Sequence, residues 1–328
     1  MDRLKFPTDE KVLETILISS HSIFGLISVA VNAYALYKAL LASIHILGAY
    51  KLILINQAIV NLVLAACVLF LQLRIFITPF GSVYAVLGLA SFTNHLIAFL
   101  AYLMFSSLFL DYYFLLVIAM FYNCHWIHKG RYTTKHIVSF LLLAGILSSV
   151  DFILSAFLFY ENESESRELF WEKSHETVLN RHMVFAVRVH EDIFDIVVNY
   201  TDAVAMVVCI AFLIFLRYRI RVYVRRTDQR LTYIQKHLVN LIVIQAVIII
   251  VFILLPSVFY FLFYEQLRKA SCDCLMSITT AISLFILPLF TILMLKTVRH
   301  VQRLHDEDSN SVSVVPSTNE PERPSTSA

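Results

Sequence analysis

Ser82–Trp126 reads SVYAVLGLASFTNHLIAFLAYLMFSSLFLDYYFLLVIAMFYNCHW, and the number of helices it forms sets the architecture of the chain. The stretch is 45 residues long, with Asp111 as its one carboxylate and no Lys or Arg. A helix needs about 20 mostly apolar residues to cross a bilayer, so the length suffices for two crossings. A tight helical pair would need a polar turn near the middle, and Ala101–Phe105 offers none. The stretch therefore reads as a loop containing Pro79, Gly81 and Gly88, then one long tilted helix over Phe92–Trp126.

Working outward, six more apolar stretches have spanning length: Thr15–Leu41, Leu52–Phe76, His136–Tyr160, Ile196–Leu216, His237–Phe263 and Leu275–Leu295. Composition agrees. Of 328 residues 59% are hydrophobic and 15% charged, against about 45–50% and about 25% in soluble domains. A soluble chain of this length cannot hide so much apolar surface. An ordinary soluble enzyme, a disordered chain and a secreted disulfide scaffold are excluded. The five Cys are odd in number and scattered, which is no disulfide framework. The expectation is an all-α membrane protein, a seven-transmembrane helix bundle.

Charge sets its orientation. With the amino terminus outside, the inner segments hold 15 Lys and Arg and the outer ones nine, four of these in one long loop where the rule is weak. An eight-span reading breaks this pattern. The predicted organisation is an extracellular segment 1–14, a bundle over 15–295 and a cytoplasmic tail over 296–328. The tail is rich in Ser, Thr and Pro and reads as disordered. The second outer loop, Glu161–Asp195, carries nine acidic and four basic residues and reads as a lid over an outer cavity. Within it, Asn162-Glu163-Ser164 is a glycosylation sequon.

Polar groups inside spans are costly and mark sites. Asp111 lies near the middle of the third helix with no Lys or Arg at matching depth. It is a candidate ligand contact or switch residue, against a hydrogen-bonded clamp between helices. Asp151 and Asp202, toward the outer ends of the fourth and fifth helices, are candidate ligand contacts. His95, Tyr102, Ser106 and Tyr113 recur at seven, four and seven residues and form one helical stripe. Its outer three members suit an apolar pocket with few polar groups, against ordinary helix packing. Pro256 and Pro288 remove backbone bonds in the sixth and seventh helices and are candidate hinges. Arg217, Arg219, Arg221, Arg225, Arg226 and Arg230 concentrate positive charge at the inner ends of the fifth and sixth helices. Anionic lipid or a cytosolic protein would meet it there. His125 and His128 have helical metal-ligand spacing but no third ligand, and Cys272-Asp273-Cys274 is too tight for an ordinary bridge. No metal, cofactor or nucleic acid is expected.

Seven spans, a basic third inner loop and a Ser/Thr-rich tail suggest a G-protein-coupled receptor. The rhodopsin-like marks are missing: the third helix ends Phe121-Tyr122-Asn123-Cys124-His125, without an acidic–Arg pair. The seventh reads Leu287-Pro288-Leu289-Phe290-Thr291 in place of Asn-Pro and a later Tyr. The pattern resembles instead the nematode serpentine chemoreceptors of the Str superfamily, class d or class str. The resemblance rests on Asn32, on Leu47-Gly48-Ala49-Tyr50-Lys51-Leu52 with Asn56, on Gln235-Lys236, Gln245-Ala246 and Pro256, and on Pro288 with Lys296 and Arg299. It departs at the inner end of the third helix, where an aromatic–Arg–Tyr stretch is common in the family and no Arg stands here.

The resemblance implies a GPCR-like receptor and no enzyme: a small organic ligand, odorant- or pheromone-like, outside and a heterotrimeric G protein inside. It would sit in the plasma membrane, that of sensory cilia included, and its oligomeric state is open. The alternative is a polytopic transporter or channel, disfavoured by the lack of internal repeats, paired broken helices and a charged pore ring. A membrane hydrolase comes third.

Overall fold

The computed structural model describes residues 10–42, 48–78, 81–129, 133–173, 183–188, 193–224, 239–248, 250–256 and 278–296. The tail, Arg225, Arg226, Arg230 and Cys272–Cys274 lie outside them. The helices are α1 (Glu10–Leu41), α2 (Tyr50–Leu71), α3 (His95–Lys129), α4 (Thr134–Lys173), α5 (Ile193–Val224), α6 (Val239–Phe252) and α7 (Ile278–Lys296). Among the described residues, α1, α2, α3, α4 and α7 each contain a stretch long and apolar enough to cross a membrane. The α5 helix covers the fifth expected span, and the described part of α6 is shorter.

α3 is unbroken through Ala101–Phe105, so Ser82–Trp126 supplies one spanning helix. It starts at His95 rather than Phe92, because Leu89–Phe92 forms a 3₁₀ turn and Thr93 is extended. Asn94 then opens the helix, its side-chain oxygen accepting the Leu96 N–H at 3.2 Å.

α3 is also the central helix, packing against α2, α4 and α5. Its most apolar window is 56% buried, as is that of α2, against 17% for α4. The exposed face of α4 carries Leu142, Leu143, Ile146, Ile153 and Phe157. Such a face suits lipid rather than water. The main core joins α2, α3, α5, α6 and α7 through Ile53, Leu64, Leu116, Leu213, Ile242 and Leu284.

Other boundaries differ from the sequence reading too, α1 starting at Glu10 rather than Thr15. The second span stops at Leu71, five residues before Phe76. Gln72 takes a left-handed conformation (φ 44°) and its N–H caps the Val68 carbonyl at 2.9 Å. The chain then enters β1 (Leu73–Thr78), which pairs antiparallel with β2 (Gly81–Val86). The segment expected as a loop is therefore a β-hairpin. Gly88 closes it against the end of α2. A Cβ there would stand 2.5 Å from the Phe70 carbonyl oxygen, so only glycine lets the two backbones approach.

The fourth helix runs on to Lys173, so Glu161 and Asn162 lie on helix rather than in a loop. The outer segment after it contributes β3 (Met183–Arg188). This strand pairs antiparallel with β2 and completes a sheet ordered β1-β2-β3. At the end of α6 a π-helical turn, Ile250–Leu254, precedes Pro256. The missing N–H and the ring of Pro256 disturb the preceding turn, and a wider turn absorbs that misfit.

Candidate functional site

The outer half of α3 carries the aromatic and polar stripe. His95, Tyr102 and Ser106 are half-buried and Tyr113 is buried. The Tyr102 ring meets Tyr84 of β2, with centroids 4.4 Å apart and planes at 43°. Below it Phe105 and Phe109 pack edge to face at 4.9 Å. Around them lie the buried Cys67 and Leu71 of α2, Val86 of β2, and Ala98, Phe99 and Leu103 of α3. The hairpin thus covers the outer end of α3, and its roof is aromatic and apolar.

Asp111 is buried on another face of α3, rotated about 140° from Ser106. One turn earlier on that face, Ser107 donates to the Asp151 carboxylate of α4 at 3.0 Å. Ser107 and Asp151 thus bond across the α3–α4 contact. Neither Asp111 nor Asp151 has an ion pair among the described residues. Asp202 is on α5, with its side chain outside the described residues; the same holds for Asn162 on α4.

Two pairs that the sequence reading missed hold the hairpin to α1. Gln72 donates to Ser22 Oγ at 2.9 Å. Arg74, 1% exposed, pairs through Nη1 with Glu14 at 3.4 Å. The only sequence signals were one cation at the edge of an apolar run and one carboxylate 60 residues away.

Deeper in the bundle, Gln57 of α2 donates to the Tyr112 hydroxyl of α3 and to Gln245 Oε1 of α6, both at 3.5 Å. All three side chains are buried. Ser28 of α1 donates to the Leu284 carbonyl of α7 at 2.8 Å, and Asn32 donates back to the Ser28 carbonyl at 2.9 Å.

The junction of α1 and α2 is built by Gly48–Leu52. Gly48 takes φ 54°, a conformation that favours glycine. Lys51 Nζ then donates to the Leu40 and Ala42 carbonyls at 2.7 and 2.8 Å, satisfying the end of α1. Tyr50 reaches the other way. Its ring packs on Tyr122 of α3 at 5.4 Å and its hydroxyl contacts Met294 Sδ of α7 at 3.8 Å. Where an acidic–Arg pair is absent, an uncharged contact joins α2, α3 and α7. Arg217 and Arg219 are exposed at the inner end of α5, and Arg221 lies on the same helix. Pro288 is buried in the middle of α7. Among the described residues no group of three His, Cys, Asp or Glu is placed to hold a metal ion.

A bundle of helices apolar enough to span a membrane, with an aromatic cluster under the hairpin at one end, fits a GPCR-like membrane receptor. Residues 17–301 match the family described as "Serpentine type 7TM GPCR chemoreceptor Srd", and the chain belongs to that family, class d of the two that the sequence suggested. Squid rhodopsin has a similar fold, with a TM-score of 0.56 at 11% identity, over 96% of this chain and 91% of that one. At this identity the likeness concerns the fold. No curated protein sequence matches the chain.

Proposed function

We propose that this chain is a chemosensory receptor that binds a small organic ligand beneath the β1–β2 hairpin and signals to a heterotrimeric G protein at its inner face. The observation that carries this reading is the reach of α3. One unbroken helix bears both Tyr102, under the hairpin, and Tyr122, against Tyr50. The two positions are 20 residues apart, about 30 Å along the axis. A ligand that shifts the Tyr84–Tyr102 stack has differential affinity for two positions of α3, and that difference is what moves a two-state equilibrium. Pro256 beyond its π-turn, and Pro288, are the places where α6 and α7 can yield. The basic inner end of α5 borders the groove so opened.

In this reading the amino terminus faces outward and the tail after Leu295 faces the cytosol. The protein sits in the plasma membrane, with sensory cilia the expected site in a chemosensory cell. The test is a ligand screen in cells with both second-messenger and current readouts. A response that disappears when G proteins are inactivated supports the receptor. A current or flux that persists without them establishes the transporter or channel.

A further inference from the structure

Resting on that reading, we infer that Gln57 and Gln245 form an uncharged latch that holds α6 against α2 and α3 until the receptor opens. Three helices meet at one side chain. Gln57 of α2 donates through the same Nε2 to the Tyr112 hydroxyl of α3 and to Gln245 Oε1 of α6, both at 3.5 Å. All three side chains are at most 2% exposed. Asn61, one turn further along α2, brings its amide beside the Tyr112 hydroxyl. Gln245 is the one buried polar side chain among the described residues of α6. It lies five residues before the π-turn Ile250–Leu254. In the proposed orientation this places it on the inner segment of α6, the part that swings when the turn yields. Turns of this kind are frequent at functional sites.

The bonding is loose enough to release. Both bonds are longer than the ~2.9–3.0 Å common for N–H···O contacts. Gln245 Nε2 and Asn61 Oδ1 have no hydrogen-bond partner among the described residues. A fully satisfied buried network rigidifies a core, and a partly satisfied one does not. Gln57 divides its two amide hydrogens between α3, the central helix, and α6, the helix that yields. When α6 departs, Gln57 keeps its bond to Tyr112 and Gln245 Oε1 loses its donor. No ion is left unpaired, which would be a far larger cost. Stranding an amide oxygen in an apolar interior is unfavourable by a smaller amount. That amount biases the unliganded chain toward the closed position without locking it there.

The test uses the purified full chain in lipid nanodiscs, without G protein or ligand. Val239→Cys places a thiol at the inner end of α6, where the native side chain is buried. Ala39→Cys places one at the buried inner end of α1, away from the latch. A maleimide reaches a buried thiol through the open state, so its rate follows the population of that state. Labelling at each position is read by peptide mass spectrometry. Gln57→Met and Gln245→Met keep the length of the side chain and remove the amide. Each raises labelling at position 239 by about threefold or more, the average worth of one hydrogen bond between membrane helices. The double variant labels no faster than either single one. Position 39 is unchanged, and Tyr112→Phe, which keeps the Gln57–Gln245 bond, labels at position 239 as the wild type does. Ordinary packing glue would loosen both positions in all three variants. No rise at position 239, an equal rise at position 39, or a rise with Tyr112→Phe as large as with Gln245→Met would overturn the inference. If Gln57→Met does not fold, Gln245→Met against Tyr112→Phe decides. A rise confined to position 239, with no nucleotide exchange when purified G proteins are then added, would sink the signalling reading and leave the latch standing.

Discussion

Asp151 shows how one residue's role depends on its neighbour. A carboxylate toward the outer end of a membrane helix invites a ligand role, because such groups are costly in lipid. In the folded chain Ser107 donates to it across the α3–α4 contact. Hydrogen bonds between membrane helices are worth roughly 0.6–2 kcal/mol. Asp151→Ala should lower the melting temperature of detergent-solubilised protein, as Ser107→Ala should, and the double variant should add little to either. Neither should change the concentration of agonist that gives half-maximal response at matched surface level. A large shift in that concentration without loss of stability would return Asp151 to the ligand pocket. Asp111 remains a proposed switch or ligand residue. It is buried one turn from Ser107, and one of its carboxylate oxygens has no hydrogen-bond partner among the described residues.

The hairpin is the element that the sequence concealed. Leu73, Ile75, Phe76 and Ile77 continue the hydropathy of α2 across Gln72, and a short apolar run has no period that separates strand from helix. Pro79 and Gly81 marked a turn, but nothing local marked the pairing with Val184 and its neighbours, roughly a hundred residues on. Spanning helices were legible because length and apolarity are local properties. The Tyr102 stripe was legible because 3.6-residue periodicity is local too. Tyr84, the ring it meets, was hidden by tertiary register, as were Glu14 for Arg74 and Tyr122 for Tyr50. If the Tyr84–Tyr102 stack couples hairpin to helix, Tyr84→Ala and Tyr102→Ala should each weaken an agonist's potency at equal surface level. Their double-mutant cycle should return a coupling of about 0.5–1.5 kcal/mol, the range for aromatic pairs. Additive effects would mean that the two rings act separately. At the inner end, replacing Arg225, Arg226 and Arg230 with Gln should leave surface level and ligand binding intact and reduce G-protein activation. Lipid contact alone would not separate these readouts, and undiminished activation would remove that loop from the mechanism.

At the scale of the whole molecule, one helix connects the two ends. α3 stands among α2, α4 and α5, touches the hairpin outside and closes the Tyr50–Tyr122 contact inside. Among the described residues, α2, α3 and α7 meet at that end through the aromatic contact of Tyr50 with Tyr122 and a weak hydroxyl–sulfur bond to Met294. Such a restraint shifts a two-state equilibrium by a small free energy, so loosening it should raise activity without ligand. The most direct measurement is guanine-nucleotide exchange on purified heterotrimers of each G-protein class. They would be added to membranes holding the wild-type chain or Tyr50→Phe at equal surface density. The account predicts exchange above that of empty membranes for at least one class, and a higher rate for Tyr50→Phe than for wild type. Exchange no faster than empty membranes for both proteins, in every class, would contradict it.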